Sequence, residues 1–597
     1  MRSVSHLPLF LLFAIGLCFL MSSPAQAIGP TIPSDMFDYT VTSVDPENSG
    51  YYYVDVAAMS PTGGATKSYL MIFDAPGDLI WFRKPSTYRF SNSCFIPCDN
   101  VERTIYSEGE LFVVSSTMMI MDTTFTVVDS VPRYHPTQDN VFYDMHELLL
   151  MDDGSKWTLW KEPVPMDMSQ YWPDGNPNAT VVDQIIQHWD ENGNILFDWH
   201  SLDHLDELDI AARIDTTGLS DSYLEHLHVN AIDIFDDNDL LVSTRDLSII
   251  FRVDYDTGEV LWRMGGGSLN DFTFTNGVNP DIPDDFNVQH HCRIHPDNHI
   301  TLFDNGWYHD EPMTYIREYV VDENNLTADL IVAVPSDSGF ASMITGSQTI
   351  MPDGNRVVGW GGMGNEIIAS EFDTDFNTIW ELDVEPLDGY LDPFAYRCKK
   401  WDTFGTAAIP YVVEVFDGET MEVVCNWWGH EDEVGSYNIF FGEIDDPQYV
   451  GNTDTGVYTI DNVDPEGQYY LRIKACDHEG FEISDYSNLR YLNFLVGVSE
   501  ELTGDAPIPL SMTLAPAWPN PFNGQTRISL LLPSPGNVNV AVYDLLGRLV
   551  TTLHDGSLTA GQHQFNLNAT GLASGMYFVR AINDNGVTSS RRVTLVK

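Results

Sequence analysis

Basic residues are scarce in this chain. Lys and Arg number 28 against 88 Asp and Glu, a formal net charge of −60 over 597 residues. That imbalance excludes nucleic acid or an anionic membrane as a general partner, because the summed field repels both. It suits a soluble extracellular protein in salty surroundings, where counter-ions screen the self-repulsion. Cysteine is also scarce: there are seven, none in a CxxC pair, so a cysteine zinc site is not expected. Helical periodicity is nearly missing, and only Asp203 to Ile214 predicts a short helix, within a loop. Beyond the N-terminal region no segment is apolar enough to span a membrane. What is present in quantity is packing material. Hydrophobic residues make up 43% and aromatics 12%, which excludes wholesale disorder. The length calls for about three or four domains.

The first residues predict an export signal over 1–27. Arg2 supplies the positive charge, Leu7 to Met21 is mostly apolar, and Ala25-Gln26-Ala27 offers a small-x-small cleavage site, so the mature chain is expected to begin at Ile28. Cleavage removes Cys18 and leaves six cysteines for an oxidising compartment. Cys94 with Cys98, and Cys425 with Cys476, are possible bridges, but six cysteines allow 15 connectivities and none is singled out.

Two turn patterns alternate from about residue 38 to 400. An acidic turn precedes a strand ending in Trp at Asp74-Ala75-Pro76-Gly77 (Trp81), Asp190-Glu191-Asn192-Gly193 (Trp199), Asp256-Thr257-Gly258 (Trp262) and Asp373-Thr374-Asp375 (Trp380). A second turn, without that Trp, recurs at Asp152-Asp153-Gly154, Asp236-Asp237-Asn238, Pro296-Asp297-Asn298 and Pro352-Asp353-Gly354. Residues that tolerate φ > 0 between β-branched and aromatic runs are hairpin signals. Two hairpins per unit of roughly 60 residues give about four strands in each of about six units. The expected fold is all-β: a six-bladed β-propeller over 28–405.

The pattern changes near Thr406. Trp427, Tyr437-Asn438-Ile439-Phe440 and Tyr469-Tyr470-Leu471-Arg472-Ile473 are spaced like strands of a small sandwich. With Ala475-Cys476-Asp477-His478-Glu479-Gly480, the segment 406–497 resembles a fibronectin type III module. A linker is expected over 498–512. From Thr513 onward the charge reverses, with six basic against three acidic residues, as in an independent module. Its motifs are Pro519-Asn520-Pro521-Phe522-Asn523, Val542-Tyr543-Asp544-Leu545-Leu546-Gly547-Arg548, Ser574-Gly575-Met576-Tyr577-Phe578-Val579-Arg580 and Val593-Thr594-Leu595-Val596-Lys597. In that order they resemble the C-terminal sorting domain of type IX secretion cargo, an Ig-like sandwich over 513–597. The resemblance implies a chain exported through the periplasm and secreted or held at the cell surface, with a type IX-like secretion machinery as partner.

Twelve of the 17 histidines lie between His135 and His309. They gather in Asp144-Met145-His146-Glu147, Ser201-Leu202-Asp203-His204, His226-Leu227-His228-Val229-Asn230 and Gln289-His290-His291-Cys292-Arg293, followed by Phe303-Asp304-Asn305-Gly306. All but the second lead into a predicted strand, so a propeller would bring them to one end of its channel. Imidazoles with arginine form a cationic pocket suited to a small anion. His146 is either a hydrogen-bonded structural group or a ligand contact, and Arg245 and Arg293 either bind an anion or pair with local acids. No HExxH or comparable spacing supports a metal site, and no full EF-hand-like loop supports calcium.

The succession DxHE, SLDH, HVNAID, VSTRDLSIIFRVDYDTGEVLWRMGG, QHHCRI and FDNG resembles the bacterial arylsulfate sulfotransferase (arylsulfotransferase) family across roughly residues 60 to 390. The resemblance implies sulfuryl transfer from an aryl sulfate ester to a phenol through a sulfated histidine, with no nucleotide or other cofactor. It carries over His228 and His290 as catalytic residues. Arg293, Arg245, His146 and His309 are expected to bind substrate. Two departures stand out. The family's arginine after FDNG is absent, since Trp307, Tyr308 and His309 follow and the next arginine is Arg317. No histidine lies between His309 and His430, where the family keeps the sulfated one; Ser347-Gln348 and Trp360-Gly361-Gly362 occupy that region. A non-catalytic propeller that binds a ligand or glycan at the cell surface is the competing expectation.

Overall fold

The computed structural model describes residues 30–597, except 60–65, 85–94, 98–103, 110–115, 133, 139, 171–175, 205–222, 266–268, 277, 280–281, 337–338, 340, 363–366, 444–445, 466, 494–497, 503–512, 515–521, 533–535, 545–547, 559–560 and 584–587. The signal segment, Cys94 and Cys98 therefore lie outside the described residues. The rest is all-β. Among the described residues there is no α-helix, only short 3-10 turns such as Ser201–His204, where the sequence predicts the start of a helix.

The two turn patterns do what their residues dictate. Asp74, Asp190 and Asp373 each accept backbone N–H bonds from residues two to four further on, for example Asp190 Oδ1 from Asn192 N at 2.9 Å and Asn194 N at 2.8 Å. In the third turn Asp254 plays this part, accepting from Thr257 N at 2.7 Å. The carboxylate thus mimics a backbone turn, and strands diverge on both sides of it. Turns of both kinds join neighbouring antiparallel strands of one sheet. Trp81, Trp199, Trp262 and Trp380 are all buried.

From Tyr39 to Trp401 the described strands form six sheets that follow one another along the chain, each built from successive hairpins. Strand Phe142–Leu150 touches Val229–Ile234, which touches His290–His295, which touches Ser347–Ile350, which touches Cys398–Trp401. Each of these strands lies at one edge of its sheet. Cys398–Trp401 pairs antiparallel with Tyr51–Met59, Tyr51 opposite Trp401. Tyr39–Ser43 likewise pairs with Thr378–Val384. Each end of this region is therefore woven into a sheet whose other strands lie more than 300 residues away in sequence.

Residues 411–502 form a three-stranded and a five-stranded sheet. The strands expected around Tyr437 and Tyr469 are present as Ser436–Gly442 and Gln468–Cys476. Val498–Leu502, expected to open the linker, instead pairs with Leu489–Asn493 as an edge strand. A Cys425–Cys476 bridge is not formed: both are buried free thiols on strands of different sheets. This unit shares a continuous apolar core with the sheet of Tyr51–Met59. Trp81 and Phe82 pack against Trp428, with ring centroids 5.6 Å apart in both pairs.

Residues 513–595 instead close two sheets on a core of their own, including Phe522, Ile528, Val540 and Val579. Among the described residues this core is separate from the others, as expected of a unit able to fold alone. A protein ending at Leu502 should therefore keep the melting transitions of the remaining chain and lose only one, as read by calorimetry of the two lengths. Loss of the main transition on truncation would show that the terminal unit props up the rest.

Candidate active site

Three strands that touch in series, Phe142–Leu150, Val229–Ile234 and His290–His295, each carry a register break. Thr158 faces Leu148 but Leu159 faces Asp144, so Met145, His146 and Glu147 bulge from the ladder. Asn230 is skipped between Val229 and Ala231, and His291 with Cys292 between His290 and Arg293. A bulge re-aims side chains that simple alternation would send to opposite faces. Just before Val229–Ile234, His290–His295 and Ser347–Ile350 the backbone is forced into the left-handed region at His228 (φ 53°), Val288 (φ 57°) and Thr345 (φ 62°) respectively. For β-branched Val and Thr this is a true outlier, of the kind that clusters at functional sites. Next to Thr345, Gly346 (φ 107°) lies so close to Phe303 that an added Cβ would sit 2.2 Å from its ring.

This local geometry brings together His146, His228, His290 and Arg245. The rings of His146 and His228 meet edge to face, centroids 4.7 Å apart. His146 Nδ1 is hydrogen-bonded to Asp144 Oδ1, and Asp144 Oδ2 is held by Lys161 Nζ at 2.9 Å. Lys161 also reaches Glu225 Oε1 at 2.6 Å, and that oxygen lies 3.4 Å from His228 Nδ1. Arg245 is clamped beside His228 by the backbone, through Arg245 N to His228 O (3.0 Å) and Asp246 N to Leu227 O (3.1 Å). Its guanidinium donates to Asp246 Oδ1 (2.7 Å) and to Met343 O (3.2 Å).

His290 is fixed at both nitrogens. Nδ1 faces Asn305 Oδ1 at 2.7 Å and Val288 O at 3.1 Å, so it carries the proton. Nε2 accepts the Thr345 N–H at 3.3 Å. Burial, with Arg245 adding to it, pushes its pKa down to about 3. Burial also pushes His228 well below the usual imidazole range, followed by the positive neighbours His146, Lys161 and Arg245. Both rings are therefore neutral imidazoles at neutral pH, and His228 remains about a quarter exposed. Burial works to raise the Asp144 carboxyl, but His146 and Lys161 overcome it and hold the group below the ordinary range. Asp144 is thus a carboxylate.

Arg293 and His309, expected as substrate contacts, are engaged elsewhere. Arg293 donates to Glu147 Oε2 at 2.8 Å, and Arg397 grips the same carboxylate at 2.7 and 3.0 Å. Glu147 has no exposed surface. Arg397 also donates to His146 O at 2.9 Å, so this buried trio sits directly behind the histidine pair. His309 Nε2 lies 2.9 Å from Asp304 Oδ2, and Arg317 Nε bonds the same oxygen at 2.7 Å. Arg317, the next arginine after FDNG, is thereby locked to Asp304 and Pro283 O. The fixed cations beside the histidines are Lys161 and Arg245. Lys161, Glu225, Glu147 and Arg397 escaped the sequence reading; only the placement of Asp144 and Glu147 on either side of His146 hinted at them. Among the described residues no three His, Cys, Asp or Glu side chains gather as a metal site requires.

Fold and site together define an all-β protein in which His146, His228, His290 and Arg245 converge where edge strands of successive sheets meet. Residues 114–385 match the family described as Arylsulfotransferase (ASST), and residues 516–595 match the Secretion system C-terminal sorting domain. The sorting domain marks the chain for export to the cell surface or secretion by a type IX machinery. No helix among the described residues is long and apolar enough to cross a membrane.

No curated protein matches the chain. Similar solved structures include a protein of unknown function from Bacteroides caccae (9% identity, 58% of this chain and 99% of that one, TM-score 0.34). They also include virginiamycin B lyase from Staphylococcus aureus (9% identity, 65% and 96%, TM-score 0.27). A third is Hsv2 from Kluyveromyces lactis (11% identity, 57% and 98%, TM-score 0.26). At such TM-scores these likenesses carry no weight for fold or function.

Proposed function

We propose that this is a secreted arylsulfotransferase-like enzyme. It moves a sulfuryl group from an aryl sulfate ester to a phenolic acceptor through an active-site histidine, without a nucleotide cofactor. Its body is a six-bladed β-propeller, followed by a fibronectin type III-like sandwich and an Ig-like sorting sandwich. The serial contacts of the six sheets and the weaving-in of both ends support the propeller. The observation that carries the function is the meeting of a neutral His228 with Arg245 inside the segment that matches the family.

A neutral imidazole is a nucleophile, and a fixed guanidinium stabilises charge on the transferring oxygens. Of the two motif histidines, His228 suits the nucleophilic role. Its Nδ1 faces Glu225, which leaves Nε2 to carry the lone pair, whereas the Nε2 of His290 is occupied by Thr345 N–H. His290 then forms a rigid neutral wall of the pocket, and Arg245 takes the sulfate oxygens in place of the family's arginine.

The assay is release of a coloured phenol from an aryl sulfate. Release by the mature protein should rise sharply when a phenol acceptor is added. A folded protein that turns over no donor in a broad panel would be a ligand- or glycan-binding propeller instead.

A further inference from the structure

We propose that His146, steered by Asp144, is the proton donor and acceptor of this transfer, working opposite His228. The inference rests on the sulfotransferase reading above and assigns a role that the two motif histidines leave unfilled. A phenolate is a poor leaving group, since a phenol such as the tyrosine side chain has a pKa of about 10. His290 cannot supply the proton: its one N–H points to Asn305 and Val288. His146 can. With Nδ1 committed to Asp144, its Nε2 is the nitrogen left to give or take a proton, and its ring meets that of His228 edge to face, centroids 4.7 Å apart. A carboxylate behind an imidazole fixes its orientation and stabilises the imidazolium. Asp144 is itself pinned by Lys161, which ties it through Glu225 to the far nitrogen of His228. One chain of contacts thus orients both rings.

The steps balance. In the first, the Nε2 lone pair of His228 forms a bond to sulfur while the bond from sulfur to the aryl oxygen breaks. The electron pair of that bond stays on the oxygen, which takes the Nε2 proton of His146 and leaves as a phenol. The positive charge that appears on the sulfated His228 ring faces Glu225. In the second step His146 Nε2 removes the proton of the acceptor phenol as its oxygen attacks sulfur, and the electron pair of the nitrogen–sulfur bond returns to His228. His146 is the catalytic residue; Asp144 and Lys161 are positioning residues.

The test compares donors that differ only in the leaving phenol, from 4-nitrophenyl sulfate to 4-methoxyphenyl sulfate, with the full-length mature protein. In wild type the rate should vary little along the series, because protonation levels it. In H146Q it should fall on the order of 10²-fold for the methoxyphenyl ester and far less for the nitrophenyl ester. D144N should steepen the dependence in the same direction by a smaller factor, which a purely structural role would not do. An equal loss across all donors in H146Q overturns the proposal while leaving the sulfotransferase reading intact. Should the variants not fold, a steep dependence in wild type alone overturns it. Absence of any wild-type turnover removes the parent reading and this one together.

Discussion

Replacing His228 with alanine should lower acceptor-dependent turnover on the order of 10²-fold or more, with little change in KM. The loss falls on kcat because the imidazole is proposed to act only in the bond-making step, while Arg245 and the pocket walls remain to bind the ester. His228→Asn should be as inactive, since an amide cannot carry the sulfuryl group. His290→Ala is a different case. Removing that ring frees Asn305 Oδ1 and the Thr345 N–H inside the wall, so both kcat and KM should suffer. Steady-state kinetics on one aryl sulfate, with the folded state checked by circular dichroism, separates these patterns. A His228→Ala protein with near wild-type kcat would show that transfer is direct between donor and acceptor, or that another nucleophile operates.

Glu147→Gln should destabilise the protein by about 3–5 kcal/mol, the range expected when one partner of a buried ion pair is removed. Two guanidiniums converge on this single carboxylate, and neither Glu147 nor Arg397 reaches water to any useful extent. Burial opposes ionisation of Glu147, yet Arg293 and Arg397 hold its carboxyl below the usual range. The neutral amide keeps the shape and leaves two buried cations uncompensated. Urea unfolding followed by tryptophan fluorescence reads the change as a shift in midpoint. A shift worth less than 1 kcal/mol would mean that water or another anion neutralises the pair. Because Arg397 also bonds the His146 carbonyl, Glu147→Gln should in addition blunt activity in the protein that remains folded.

The parts of this molecule that were legible in the sequence are the local ones. A turn closed by Asp190 onto Asn192 and Asn194 is written within five residues, so its hairpin could be placed without knowing the partner sheets. His228 and His290 stood out because short motifs lead them into strands. What stayed hidden needed either register or distance. The bulge at Met145–Glu147 depends on which residues Lys156–Met166 sets opposite, and only that register sends Glu147 inward behind His146. Arg293 looked like an anion contact because its strongest partner lies almost 150 residues earlier in the chain, and Arg397 about 100 residues later. The ion pair of His309 is hidden for a simpler reason: Asp304 and Arg317 flank it closely, and a nearby ion pair looks the same on paper as a pair of substrate ligands. Cys425 and Cys476 could not be judged without knowing that their strands lie in separate sheets.

The pairing of Tyr51 with Trp401, and of Tyr39 with Val384, sets an order in which the chain can close. The sheet around Tyr51–Met59 waits for Cys398–Trp401, and the sheet around Thr378–Val384 was left one strand short until Tyr39–Ser43 could return to it. Lys400 then ties Glu371 of the neighbouring sheet at 2.8 Å and Asn48 at 2.7 Å, fastening the seam. Loop closure over such a span is slow and leaves strand edges open meanwhile. A chain still emerging from the ribosome cannot complete these contacts, so its long acidic body stays unlocked until synthesis has passed residue 401. The seam can therefore shut only after its last strand, Cys398–Trp401, has been made.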